Sequence, residues 1–157
     1  MQLSTKGRYA VMAMADLAEY GGDAAMPLAT IADRQHISIA YLEQLFMKLR
    51  RAGLVKAIRG PKGGYMLAKR STDISIAEIM SAADEGVQMN RCSIEGAEWC
   101  LGTKRCMTHD LWRALGDHIS DFLADASLKD VLDGRFTKAA MKKAAGVKPT
   151  DQDVAAN

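Results

Sequence analysis

The chain has 157 residues, of which 48% are hydrophobic and 25% charged, with a formal net charge of +2. These proportions are ordinary for a soluble globular protein and allow a sizeable core in one domain, or in a small domain with an appended dimer arm. No apolar run approaches the ~18 residues of a membrane span, and the first residues, Met1 to Arg8, lack the order of a signal peptide, so no membrane partner and a cytoplasmic location are expected.

The net charge hides an asymmetry. Between Gln44 and Thr72 there is no acidic residue, while Lys48, Arg50, Arg51, Lys56, Arg59, Lys62, Lys69 and Arg70 give the window a charge of +8, against −6 for the remainder. One basic segment on an otherwise acidic body implies a polyanionic partner.

In chain order, Thr5 caps a first helix that runs to about Tyr20, with Tyr9, Met12, Ala13 and Leu17 on one face and Gly21-Gly22 ending it. Pro27 suits the first turn of a short second helix with Leu28, Ile31 and Ala32 inward. His36-Ile37 makes a tight break. Ser38 caps a third helix, about Ile39 to Ala52. Its apolar residues Leu42, Leu45, Phe46 and Leu49 recur at i, i+3, i+4, i+7, and its opposite face carries Ala40, Glu43, Gln44, Met47, Lys48 and Arg51. Two helices joined by such a break form a helix-turn-helix whose second helix has an apolar back and a polar front.

Leu54 to Ile58 then reads as a strand, Arg59-Gly60-Pro61-Lys62-Gly63-Gly64 as a glycine-rich turn, and Tyr65 to Ala68 as the return strand. A helix-turn-helix followed by a basic hairpin is a winged helix, with Arg and Lys at the tip to meet phosphates or the minor groove. The rival use of the glycines, a phosphate-cradling nucleotide loop, lacks the strand–loop–helix order and the Gly-Lys-Ser/Thr ending. Ser75 to Glu78 is a capping box that opens a short helix with Ile76, Ile79, Met80 and Ala83 inward.

Periodicity vanishes from Glu85 to Met107. Thr108 then caps a last helix, about His109 to Ala124, with Trp112, Leu115, Ile119, Phe122 and Leu123 on a face broad enough to serve as a dimer interface. The expected fold class is therefore mainly α with a small β-hairpin wing: a winged helix-turn-helix over residues 1–84, a ligand loop over 85–107, a dimerisation helix region over 108–136 and a flexible tail over 137–157. The residues expected at double-stranded DNA are Ser38, Ala40, Tyr41, Glu43, Gln44, Lys48 and Arg51 on the reading helix, and Arg59, Gly60 and Lys62 in the wing. Trp112, Leu115, Ile119 and Phe122 are expected at a homodimer interface.

All three cysteines and one histidine fall in one stretch, spaced Cys92-x7-Cys100-x5-Cys106-x2-His109. An odd number of cysteines fits a disulfide framework poorly, and reduced thiols gathered with a histidine suggest metal ligands. Zinc accepts three thiolates and an imidazole, but structural zinc sites usually use closely paired cysteines, which are absent. The long intervals favour an iron–sulfur cluster, with zinc and a metal-free thiol switch as alternatives. A catalytic Cys106–His109 pair would lack an orienting group and leave two cysteines unexplained, so no enzyme activity is expected.

With these motifs in place, the sequence resembles the winged-helix iron–sulfur regulators typified by IscR, with the nitric-oxide sensor NsrR as a relative. The resemblance spans about Met1 to Phe136. It rests on Leu3 to Val11, on Ile39 to Phe46, on Arg59 to Tyr65, and on Arg91-Cys92 through Cys106 to Trp112. It implies a homodimer holding a 2Fe–2S cluster on Cys92, Cys100, Cys106 and His109. It also implies a cluster-sensing regulator, mainly a repressor, of iron–sulfur cluster assembly genes, with occupancy altering DNA recognition and cluster-donor proteins among its partners. Glu43, Gln44 and Arg59 would face an imperfect palindromic operator. Alternatives of the same fold are a regulator with a 4Fe–4S cluster answering nitric oxide or iron, and a zinc- or thiol-switched repressor. The chain departs from the pattern twice: its first cysteine interval is seven residues where five is typical, and position 40 is Ala where Ser is usual.

Overall fold

The computed structural model describes residues 5–83 and 104–137. Its elements are α1 (Thr5–Tyr20), α2 (Leu28–Gln35), α3 (Ile39–Arg51), β1 (Val55–Ile58), β2 (Gly64–Leu67), a single 3-10 turn (Ser71–Asp73), α4 (Ile76–Ala82), α5 (His109–Asp125) and α6 (Leu128–Leu132). Mainly α with one antiparallel hairpin is the architecture expected from the sequence. The parts of the expected ligand loop and flexible tail that fall in residues 84–103 and 138–157 lie outside the described residues.

Helix α1 is central to the core, but it is rotated relative to the expected face. Ala10, Ala13, Met14 and Leu17 are buried. Tyr9 is half-buried against the core, and Met12 is half-buried beside α6 instead of pointing inward. The reason is packing: the small Ala10 and Ala13 let α1 lie close to its neighbours, whereas the larger Tyr9 and Met12 fit at the margins. Thr5, expected as the cap, is the first residue of the helix.

Asp16 is the one buried charged residue among those described. It accepts hydrogen bonds from Arg34 Nε at 3.0 Å, from Arg34 Nη2, and from Gln35 Nε2 at 2.7 Å, so the end of α2 is fastened to α1. Arg34 also stacks over the Tyr20 ring at 4.6 Å. Burial pushes the Asp16 carboxyl up. The bonds from Arg34 and Gln35, with the Arg34 charge, outweigh burial and hold it below the usual carboxylate range.

The α2–α3 break forms as expected. His36 adopts a left-handed conformation, φ 53°, and Ile37 N–H donates to Ala32 at 3.1 Å, which closes the end of α2. The Ser38 hydroxyl accepts from Tyr41 N–H at 3.3 Å and starts α3. Leu42, Leu45, Phe46 and Leu49 are buried.

The hairpin pairs Val55 with Leu67, Lys56 with Met66, Ala57 with Tyr65 and Ile58 with Gly64. It is not an isolated ribbon. Met26, just before α2, pairs antiparallel with Tyr65: Met26 N–H donates to Tyr65 at 2.9 Å and Tyr65 N–H to Met26 at 2.8 Å.

The Ser75–Glu78 capping box opens α4, with Ile76, Ile79, Met80 and Ala83 buried. Helix α6 was not expected. A second capping box, Ser127 with Asp130, opens it, and Leu128 is fully buried. The two cap serines face each other in an antiparallel bridge, in which Ile76 N–H donates to Ala126 and Leu128 N–H to Ile74, both at 2.8 Å. The start of α6 is thereby fixed to the helix-turn-helix body.

The Asp16 clamp yields a test. Asp16→Ala should lower stability by about 1–3 kcal/mol, the range for losing hydrogen bonds to a buried charge whose partner can still reach water. A lowered carboxyl contributes stability above the ordinary carboxylate range and loses it as pH falls through the lowered value. Asp16→Asn should therefore blunt the loss of stability below about pH 4 relative to the parent. Thermal melts across pH check both; unchanged melts would remove the clamp from the account.

Candidate nucleic-acid interface and ligand pair

The polar front of α3 is solvent-facing. Ser38, Ala40, Glu43, Gln44 and Arg51 are exposed, and Lys48 is half-buried toward α4. Tyr41 is half-buried, with its ring edge-on to Tyr9 at 5.8 Å, so it braces the first turn of α3 against α1. In the wing, Arg59, Gly60 and Lys62 are exposed at the tip. Gly60 has φ 121°, a conformation L side chains rarely adopt, and Gly63 N–H donates to Gly60 at 2.8 Å to close the turn.

The structure narrows the basic segment. Lys69 pairs with Glu78 at 3.0 Å, and Arg70 pairs with Asp73 at 2.9 Å. Those two cations are neutralised within the fold. The field offered to a polyanion therefore comes from α3, β1 and the wing tip.

Sequence reasoning missed what holds reading helix and wing together. Tyr65 packs against Phe46 with ring centroids 4.9 Å apart, and its backbone pairs with Met26. One residue of the wing thus touches both the core side of α3 and the segment that leads into α2. A Cβ on Gly64 would lie 2.3 Å from the Met26 carbonyl oxygen. The absence of a side chain there is what lets the wing close onto Met26. The sequence offered a weak signal: the second glycine of the Gly63-Gly64 pair is not needed for a turn that Gly60 already makes.

Of the four expected metal ligands, Cys106 and His109 are described; Cys92 and Cys100 lie outside the described residues. His109 is the first residue of α5, and its N–H donates to the Cys106 carbonyl at 3.1 Å. One turn therefore presents a half-buried thiol and a half-buried imidazole. Cys106 lies three residues before the start of this 17-residue helix. Sulfur and imidazole donors on one turn fit half of a soft-metal or cluster site. Thr108 stands at the cap position but does not cap. Its hydroxyl lies 3.5 Å from Cys106 Sγ, because its backbone (φ −98°, ψ 7°) is already near-helical and turns the side chain away from the helix amides.

Helix α5 buries only Gly116 among its own residues. Trp112 is 42% and Phe122 49% exposed, while Leu115 and Ile119 are half-buried. Phe122 meets Phe136 edge-on at 5.5 Å. The broad apolar face expected here is present and largely uncovered. No described helix is long and apolar enough to cross a membrane.

The chain and its fold are similar to those of known transcriptional regulators. A family profile described as "iron-dependent transcriptional regulator" (Rrf2) matches residues 3–134. The chain is 49% identical over 135 residues to the HTH-type transcriptional regulator IscR of Photorhabdus laumondii, covering 86% of this chain and 81% of that one. It is 49% identical over 132 residues to the IscR of Xenorhabdus nematophila, covering 84% and 79%. Among solved structures, T. potens IscR superposes with a TM-score of 0.69 at 37% identity, covering 85% of this chain and 87% of that one. CymR, the global cysteine regulator of B. subtilis, superposes with a TM-score of 0.73 at 32% identity, covering 85% and 97%.

The wing closure is testable by Gly64→Ala, which forces a methyl group onto the Met26 carbonyl. Overpacking of this kind should cost about 1–3 kcal/mol. Because the strain falls on the wing joint, DNA affinity should drop even where the protein remains folded. Circular dichroism melts with parallel mobility-shift titrations measure both; full affinity in the variant would show that wing position is not fixed there.

Proposed function

The chain belongs to the Rrf2 family of iron-dependent transcriptional regulators, and we propose that it is an iron–sulfur-sensing repressor of cluster assembly genes, acting in the cytoplasm as a homodimer on an imperfect palindrome. It is a DNA-binding regulator and not an enzyme. The observation that carries the sensing role is the placement of α5: the Cys106–His109 turn begins the helix, and the bridge from Ala126 and Leu128 to the helix-turn-helix body follows directly at its other end. At 1.5 Å per residue the helix spans roughly 25 Å.

Cys92, Cys100, Cys106 and His109 would hold the group, a 2Fe–2S cluster by resemblance to IscR. Bound there, such a cluster supplies a redox-responsive link sensitive to cluster supply. Cys106 and His109 fix the start of α5; Trp112, Leu115, Ile119 and Phe122 offer the apolar face for a second copy. The bridge passes the helix position to α4 and the reading head. Support for the dimer is a 17-residue helix with a single buried residue, since an apolar helix face of this size is normally covered. Two reading heads on one dimer match two half-sites.

On DNA, Arg59 meets phosphates or the minor groove, and Gln44 can bond adenine edges. Glu43 acts in the opposite sense. A carboxylate in the groove repels phosphates and accepts only from a base amino group such as cytosine N4, so it penalises wrong sites.

Anaerobically purified protein should contain iron and acid-labile sulfide in equal amounts, with the spectrum of a 2Fe–2S cluster. A 4Fe–4S spectrum would revise the cluster, and stoichiometric zinc without sulfide would overturn the iron–sulfur reading. In DNA titrations, Arg59→Ala should weaken binding by about 1–3 kcal/mol. Glu43→Ala should let the iron-free protein bind sites that the parent rejects; continued rejection would count against that role for Glu43.

A further inference from the structure

The polar front of α3 is interrupted by apolar side chains. Ala40, Gln44, Met47 and Arg51 recur at i, i+4, i+7 and i+11 and share the face opposite the buried Leu42, Leu45, Phe46 and Leu49. Met47 lies near the middle of that face and is 47% exposed. It follows Glu43 by one turn and precedes Arg51 by one turn. Ala40 lies one turn before Gln44, so apolar groups flank Gln44 along the helix. About half of this thioether's surface stays in water among Glu43, Gln44 and Arg51; that exposed half gains nothing for the fold, and its gain comes when a partner covers it.

The major groove offers one apolar group to such a side chain, the C5 methyl of thymine. We infer that Met47 packs on a thymine methyl beside the base read by Gln44, with Ala40 adding a second apolar contact on the other side. One helical turn rises roughly 5.4 Å against roughly 3.4 Å per base pair, so these contacts fall one or two base pairs from the Gln44 position. Each half-site therefore carries thymine there. The inference rests on the DNA-binding role proposed above and specifies which bases it selects.

The test begins with an operator enriched from random-sequence DNA by the full-length protein. Each thymine is then replaced in turn by deoxyuridine, which removes the methyl group and no hydrogen-bonding atom. At the thymine that Met47 covers in each half-site, distinguished from any that Ala40 meets by its response to Met47 variants, the parent should lose about four-fold in affinity, the worth of one buried methyl. Met47→Ser should bind operators with thymine or deoxyuridine at that position alike, and Met47→Leu should restore the preference. Tolerance of deoxyuridine at every position, or a preference unchanged in Met47→Ser, overturns the contact while leaving DNA binding intact. Failure to enrich any sequence would instead remove the DNA-reading role, and this inference with it.

Discussion

Two backbone hydrogen bonds, Ile76 N–H to Ala126 and Leu128 N–H to Ile74, tie the two halves of the described chain together. They form because two helices start back to back, each opened by its own serine capping box, with the paired cap residues Ser75 and Ser127 between them. Ile74, Ile76, Ala126 and Leu128 are all buried around this bridge, so it sits in the core and is not a surface contact. The described residues on the C-terminal side of α5 are thereby part of the reading head. The ligand turn is at the opposite end, and most of the helix between is packed against little else.

Two sets of tertiary contacts brace the head itself. Tyr65 couples the wing to Phe46 of α3 and to the backbone at Met26, and Asp16 couples α1 to the end of α2 through Arg34 and Gln35. A displacement arriving through α4 would be shared by α3 and the wing together. This matters for a regulator, because a loose wing would let the two DNA contacts respond separately.

Much of this was legible in local pattern. The spacing of Leu42, Leu45, Phe46 and Leu49, the Ser38 cap and the Ser75–Glu78 box each rest on interactions within one turn, and each stands in the structure. The misreadings came from elsewhere. Tyr9 and Met12 fit the helical period of α1 but yield the core to Ala10 and Met14, because inter-helix distance, not periodicity, selects the face. Thr108 has the composition of a cap, but its backbone is already turned. Helix α6 is only five residues long, and the Ser127–Asp130 box that announces it is short enough to pass for a loop. The candidate DNA face was readable because it is continuous on one helix and one hairpin. The Asp16–Arg34 and Phe46–Tyr65 contacts were not, since each joins residues that only the tertiary fold brings together.

In the proposed mechanism the state of the ligand turn at His109 alters what α3 and the wing recognise. Its most direct test is the affinity of one anaerobic preparation for one operator, at fixed salt, before and after chelation of its iron. The expected result is a change within the usual range of allosteric coupling, roughly 5- to 150-fold, that vanishes in Cys106→Ala. Equal affinities with and without iron would contradict it.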